Sequence, residues 1–496
     1  MGGGSSDDRR LKAALFLLVC LAAGLLPHAL GPLARLLPSL ALATLLGAYA
    51  VRTVFLRPAP QEGVTPGNPG HTAAASTSEV RQASGAEPTE SDSASVFPGE
   101  GLRAAAVDVV VAARDEEAVI ERLVERVLRL RWPAGQLRLW VIDDGSEDRT
   151  PQLLAQLQKQ HAGLRVLRRS RDAGGGKSAA LNLVLEQLQG RWMLVLDADA
   201  DLAPDLLERL IPFAERGGWA AVQLRKAEVN AGVNWLTRAQ AMEMALDATI
   251  QEGRLARGGV AELRGNGQLL RRDAVHSAGG FNEATITDDL DLSFRLLLAG
   301  LPVGVLWDPP VCEEAVLTLK ALWRQRQRWA EGGLQRFFDY GDQLLSEKLN
   351  RTQKIDLAAF FVLQYVLPVM AVADLIGTLI SGTPPAMWPF SVVALGLSGF
   401  SMLHGCRRAS EGPQLPPPTL INLALGIVYL IHWFVVIPWV TLKMAVLPKS
   451  LVWAKTAHGA SPLPNHPASD DASVFDLDLG LEVGHCDDET VISTCD

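Results

Sequence analysis

At 496 residues, with 48% hydrophobic and 20% charged residues, the chain is long enough to bury a sizeable core, which excludes a peptide hormone, a disulfide-stapled mini-domain and a wholly disordered protein. A mean hydropathy of +0.14 is high for a soluble enzyme and low for a transporter built mostly of spanning helices, so a soluble domain shares the chain with membrane segments. The net charge of -9 is a property of the tail: nine acids follow Lys455 with no Lys or Arg, and the rest of the chain carries 46 acids against 46 bases, a balance that gives no reason to expect nucleic acid as a partner.

In chain order, residues 1–57 read as an N-terminal transmembrane hairpin. Apolar runs Leu11–Leu26 and Leu36–Val51 flank a Pro27/Gly31/Pro32 turn, and Arg9, Arg10, Lys12, Arg52 and Arg57 place both flanks on the cytoplasmic side. A signal peptide competes for the first run, but the second follows at once and no A-x-A cleavage site separates them. Residues 58–102, rich in Pro, Ser, Thr, Gly and Ala, read as a disordered linker.

Residues 103–345 change pattern to short apolar strands (VDVVVAA, LRLWVID, LRVLRR, RWMLVLDAD) alternating with segments of helical length such as Glu117–Arg131 and Lys177–Gln189. This predicts an α/β domain with a parallel sheet covered on both faces, whose ligands bind beyond the carboxyl ends of the strands. Residues 346–457 hold apolar stretches at Leu357–Ile380, Trp388–Leu403 and Leu420–Val440. Three crossings there would leave Lys443, Lys449 and Lys455 outside, so one stretch is expected to re-enter or lie in the interface, giving four or five spans of a multi-pass protein with a cytoplasmic catalytic domain. Residues 458–496 read as an acidic disordered tail. Five scattered cysteines and four histidines without ligand spacing (His161, His276, His404, His432) argue against a disulfide framework or a zinc site.

Chemistry concentrates in four places. Asp143 and Asp144 close a strand. Crowded acids repel unless a metal or the polar groups of a nucleotide meet them, although Asp and Ser also serve as turn and capping residues. Asp197 and Asp199 end the next apolar strand, where alternate residues share a face and could jointly hold a hard divalent cation on a diphosphate. Thr287, Asp288 and Asp289 precede an amphipathic helix; either of the first two suits an N-cap, and a carboxylate here could serve as the base that deprotonates a hydroxyl. The fourth is Trp323-Arg324-Gln325-Arg326-Gln327-Arg328-Trp329, a basic interfacial helix in which Arg328 could hold phosphate oxygens and Trp329 could offer a flat face to an acceptor. Gly174-Gly175-Gly176-Lys177-Ser178 is not a triphosphatase loop, because Arg171 stands where that motif needs its first glycine; it predicts a mobile turn that brings Lys177 near a phosphate.

Together Val109–Glu117, Asp143-Asp144-Gly145-Ser146, Asp197-Ala198-Asp199, Gly279-Gly280-Phe281, Thr287-Asp288-Asp289 and Gln325-Arg326-Gln327-Arg328-Trp329 resemble, in order, the membrane-bound family 2 glycosyltransferases. The resemblance implies a GT-A fold (a Rossmann-like nucleotide-diphospho-sugar transferase domain) binding a UDP-sugar with magnesium or manganese and inverting the anomeric carbon. It implies that Ala113, Arg114 and Glu116 line the uridine site, Asp143 and Asp144 meet the nucleotide, Asp197 and Asp199 meet diphosphate and metal, Asp289 is the catalytic base, and Gln325, Arg328 and Trp329 close the site. Asp288 departs from the Glu the family usually carries there. The hairpin, Arg264-Gly265-Asn266-Gly267-Gln268 and Trp453–Gly459 make the whole chain similar to cyanobacterial members that glucosylate diacylglycerol, which implies a membrane-lipid acceptor. The alternatives are a processive β-polysaccharide synthase, another lipid or polyprenyl-phosphate acceptor, an inactive nucleotide-binding relative, and a transporter, for which no repeated halves are visible.

Overall fold

The computed structural model describes residues 6–54, 106–133 and 135–449; the linker, the Trp453–Gly459 segment and the acidic tail lie outside the described residues. Helices α1 (Ser6–Leu25) and α2 (Pro32–Val54) form the N-terminal hairpin, parted by a 3-10 turn at Leu26–Ala29 that contains Pro27.

The next segments alternate as the sequence predicts: β1 (Val107–Ala113), α3 (Ile120–Leu128), β2 (Leu137–Asp144), α4 (Thr150–Gln160), β3 (Leu164–Arg169), α5 (Gly176–Leu185) and β4 (Trp192–Leu196). Then come β5 (Asp201–Leu202), α6 (Leu206–Arg216), β6 (Ala221–Glu228), α7 (Trp235–Leu255), β7 (Gln268–Arg271), α8 (Arg272–Ser277), α9 (Asp288–Leu298), β8 (Val303–Glu313) and α10 (Leu319–Leu344).

The eight strands form one sheet in the order β3-β2-β1-β4-β7-β6-β8-β5. Strand β1 is central to the parallel half, with Val109 registered between Leu139 and Leu194. Its alternate side chains enter two cores: Val107, Val109 and Val111 pack with α3, α4 and α6, while Val110 and Ala112 pack with α5, α8 and α9. Burial on both faces accounts for the unbroken valine run. The expectation of a parallel sheet needs correction, because β7 runs antiparallel to both β4 and β6, and β5 antiparallel to β8. Strand β7 has only four residues, too few for its period to stand out beside the longer strands.

Beyond the domain lie α11 (Arg351–Phe361), a π turn (Val362–Val366), α12 (Leu367–Ser381), α13 (Trp388–Arg407), α14 (Leu420–Leu430) and α15 (Trp433–Val446). Among the described residues, five helical stretches are long and apolar enough to cross a membrane: Asp8–Ala29, Pro32–Val51, Arg351–Ser381, Trp388–Arg407 and Leu420–Val446. The tips of two hairpins meet far from the domain, where Asp374 accepts from the N–H groups of Ala386 and Met387 and lies 2.8 Å from His28 Nε2. At the other end of α13, Arg408 pairs with Glu252 of α7 and stacks 4.0 Å from the Trp307 ring centroid.

The last stretch behaves differently. The hydroxyl of Tyr429 and the indole of Trp433 both donate to Glu243 of α7, while Lys443 reaches Glu331 of α10 at 3.2 Å. Its middle and its C-terminal end therefore both touch the domain, so it runs along the boundary between the domain and the apolar helices.

Candidate active site

Three strand ends and the N-terminal parts of three helices assemble the site. After β4 the chain turns out of the sheet at Asp197-Ala198-Asp199, and the Asp197 N–H is held by Asn266 Oδ1 at 3.0 Å. Asn266, fully buried, donates onward to Glu313 Oε2 at 3.0 Å. Asp199 is buried, and its Oδ2 accepts from the N–H of Glu314 at 3.3 Å. Glu313 closes the set by pairing with Lys226 at 2.6 Å. Burial alone would lower the Lys226 pKa, but Glu313 beside it outweighs that and holds it raised. Burial and the Glu313 charge push the neighbouring Glu228 carboxyl well above the usual range.

Opposite these acids, Gly174, Gly175 and Gly176 take φ of +69°, +69° and +53°, a left-handed run that side chains resist, and α5 begins at Gly176. The first-turn N–H groups of such a helix favour anions. Lys177 lies in that turn, its Nζ 2.6 Å from Asp197 Oδ1 and 3.2 Å from the Gly265 carbonyl. Although burial opposes the charge, Asp197, Asp288 and Asp289 raise its pKa.

The third wall is the start of α9. Thr287 occupies the N-cap position without a side-chain cap bond, and Asp288 and Asp289 fill the first turn, where the helix dipole favours acids. Burial first, and the charge of Asp288 second, push the Asp289 carboxyl up to about 6. Gly265, at φ +87°, passes close to Asp289: a Cβ there would stand 3.4 Å from Oδ2. Helix α10 crosses directly over Thr287 because Gly332 has no side chain to collide with it.

On α10, Gln325, Arg328 and Trp329 fall at i, i+3 and i+4 and face the cavity together. The Trp329 ring meets two cations, with the Arg326 guanidinium carbon 4.0 Å and the Lys226 Nζ 5.5 Å from its centroid. Arg326 is itself buried against Glu243 and Tyr429. Trp323, at the helix start, is exposed.

These groups line a cavity of about 580 Å³. Of the residues singled out in the sequence, Glu116, Lys177, Asp197, Asp199, Asp288, Asp289, Gln325, Arg328 and Trp329 are on its wall. Ala113, Arg114, Asp143 and Asp144 are not among the lining residues. Asp143 is buried and closes its own turn, accepting from the Ser146 N–H at 2.9 Å, with Arg168 at 3.3 Å. Asp144 accepts from Arg169, which also donates to the carbonyls of Gly174 and Gly176, so it braces the glycine turn from behind; Arg114 lies 3.7 Å away. Burial raises the Asp144 carboxyl against the pull of Arg169 and Arg114.

Sequence reasoning missed Lys226, Glu313, Asp247 and Glu262. Arg264 is paired with Asp247 at 3.0 Å and with Glu262 at 3.1 Å, and Glu262 also meets Arg336 at 3.0 Å. Single charges on strands and long helices carry no motif, and only folding shows that they converge. Asp197 and Asp199 bring hard oxygen donors suited to magnesium or manganese. Among the described residues no cluster of three or more His, Cys, Asp or Glu forms an all-protein metal cage. Two carboxylates fit a cation that takes its remaining ligands from substrate phosphates and water.

A mixed α/β sheet whose strand-end acids, glycine-led helix N-terminus and acid-bearing helix start open on one cleft is the framework of a GT-A glycosyltransferase. The chain belongs to glycosyltransferase family 2: the family profile described as "Glycosyltransferase like family 2" matches residues 104–332. Beta-monoglucosyldiacylglycerol synthase of Synechocystis sp. is 46% identical over 360 residues, 72% of this chain and 75% of its own length. The synthase of that name from Trichormus variabilis is 44% identical over 359 residues, 72% of this chain and 77% of its own. Among solved structures, the mannosyltransferase PcManGT from Pyrobaculum calidifontis, in complex with GDP-Man and Mn2+, shares the fold with a TM-score of 0.52 at 18% identity, over 86% of this chain and 99% of that one.

Proposed function

We propose that the protein transfers glucose from UDP-glucose to the free hydroxyl of 1,2-diacylglycerol, with inversion, giving β-monoglucosyldiacylglycerol. The similarity to two synthases of that lipid over some three-quarters of their length carries the reading, and it favours a lipid product over a polysaccharide.

In this reading the uridine lies toward Glu116 and the ends of β1 and β2, and the diphosphate lies between Lys177, the α5 N-terminus and Arg328, whose charges match it. Asp197 and Asp199 would hold a divalent cation, which when bound neutralises charge on the leaving diphosphate. Asp289, ionised above about pH 6, accepts the acceptor hydroxyl proton. The hydroxyl oxygen bonds to the anomeric carbon from the side opposite the diphosphate, the bond to the β-phosphate oxygen breaks, and UDP leaves with the electron pair. Trp329, held by Arg326 and Lys226, lines the cavity where the sugar or acceptor would lie.

The same reading places the catalytic domain on the cytoplasmic side, beside Arg9, Arg10 and Lys12, with four crossings and with Leu420–Val446 held at the interface. The test is purified protein in detergent with labelled UDP-glucose or UDP-galactose and diacylglycerol. Lipid-soluble glucose from the UDP-glucose arm supports the proposal, and polymeric label would replace it with polysaccharide synthesis.

A further inference from the structure

The cavity does not end at the domain. Below Asp289 it continues among the apolar helices, lined by Tyr49 of α2, Leu363 of the π turn, Pro368 of α12, Ala394 and Leu397 of α13, and Phe434 of α15. The π turn has a local cause: Pro368 has no N–H to give the carbonyl of Gln364, and the Leu367 N–H reaches back five residues to Val362. The widened turn presents Gln364 to the chamber. Gln364 makes no hydrogen bond with any described residue, and an unpaired amide within an apolar helix bundle calls for a partner that arrives from elsewhere.

The arginines that line the chamber mouth are already paired. Arg254, Arg264 and Arg336 face Asp356, Asp247 and Glu262, each arginine within 3.0 Å of one of these carboxylates. A phosphate-bearing lipid would need a positive charge left over at this place, and three cations against three anions leave none. An apolar chamber under a rim of paired charges suits an uncharged head carrying hydrocarbon.

We propose that the inner chamber is the acyl-chain site for a neutral, two-chain acceptor, and that Gln364 donates to an ester carbonyl of its glycerol backbone, setting the depth at which the free hydroxyl meets Asp289. This rests on the proposed function and extends it, making α13 and the π turn the determinants of which lipid is accepted.

The experiment uses the full-length protein in detergent with dioleoylglycerol, dioctanoylglycerol and a diacylglycerol carrying a photoreactive group midway along one chain. Filling the chamber with Ala394→Trp should lower kcat/KM for dioleoylglycerol about tenfold more than for dioctanoylglycerol, as overpacking excludes the longer chains. Gln364→Leu should raise KM for both lipids roughly fivefold to tenfold through the lost hydrogen bond. UDP affinity, measured by calorimetry, shows that both variants are folded. The photoprobe should label α13 and the π turn. Unchanged chain-length preference in Ala394→Trp, or labelling confined to the outer faces of the helices, overturns the chamber while lipid glycosylation stands. Labelling of the chamber without glucose transfer keeps the lipid site and removes the proposed reaction. Neither labelling nor transfer removes both.

Discussion

The ammonium of Lys177 lies 2.6 Å from Oδ1 of Asp197, so the lysine neutralises the carboxylate on which a diphosphate and its cation would converge. In the proposed reading the lysine shifts its bond from carboxylate to phosphate when the donor arrives. Replacing it as Lys177→Met should weaken UDP-glucose binding by about tenfold to a hundredfold, the worth of a charge-assisted bond. Titration calorimetry with UDP checks this, and unchanged affinity would take Lys177 out of the donor site.

Asp289→Asn keeps the size of the side chain and removes the proposed base. Transfer should fall by about a factor of 10³, within the usual range for a general base, while UDP affinity stays close to native. The pH profile adds a signature. A base works when ionised, and this carboxyl is raised to about 6, so kcat/KM should climb as pH rises through about 6 and level off above it. A profile flat from pH 5 to 7 would assign the proton to another group.

Chelation should suppress transfer, with magnesium or manganese restoring it, because Asp197 and Asp199 supply hard oxygens and the donor supplies the rest. Asp199→Asn should raise the metal concentration needed for half-maximal rate. Full activity in excess chelator would show that Lys177 and Arg328 carry the leaving-group charge alone.

Asp356 accepts from Arg254 at 2.8 Å and from the Val260 N–H at 2.9 Å in a fully buried position. Asp356→Ala leaves Arg254 without its main partner in the interior and should destabilise the fold by about 3–5 kcal/mol. Thermal unfolding in detergent reads the loss. Acid acts on the same network. Burial works against the charge of Glu262, but Arg336, Arg264 and Arg254 prevail and hold its carboxyl at about 2. The folded pKa is below the unfolded one, so this contribution is complete above the ordinary glutamate value near 4.3 and is lost as pH falls from there toward 2.

Single cysteines decide the crossings. In a background of Cys486→Ser and Cys495→Ser, Pro384→Cys at the far tip should label from the face opposite Leu447→Cys at the end of α15. Labelling of both from one face would contradict the proposed arrangement. The native Cys20, Cys312 and Cys406 are buried and should stay silent.

The parallel strands β1, β2 and β4 were legible because each carries an apolar run buried on both faces, and β2 and β4 lead into acids. The mixed half was not: β7, antiparallel to both neighbours, is four residues long, and β6, parallel to β8, carries Gln223, Arg225 and Lys226, polar residues that only tertiary partners make tolerable. The acids were visible by their crowding, and the structure sorts them by depth. Asp197, Asp199 and Asp289 reach the cavity, whereas Asp143 ties a turn and Asp144 braces the loop that carries Lys177. The tension between three C-terminal apolar stretches and the lysines after them was readable as a charge imbalance, and Glu331 and Glu243 show where the last stretch is held.

Helix α1 packs its Ala13 and Cys20 into one cluster with α12 and α15, and its first turn sends Arg9 to Glu331. The N-terminal hairpin is thus part of the wall that steadies α10, the helix bearing Gln325, Arg328 and Trp329. Trimming it to obtain a water-soluble enzyme would strip support from three residues of the cavity wall, and such a fragment should lose catalytic competence along with its apolar anchor.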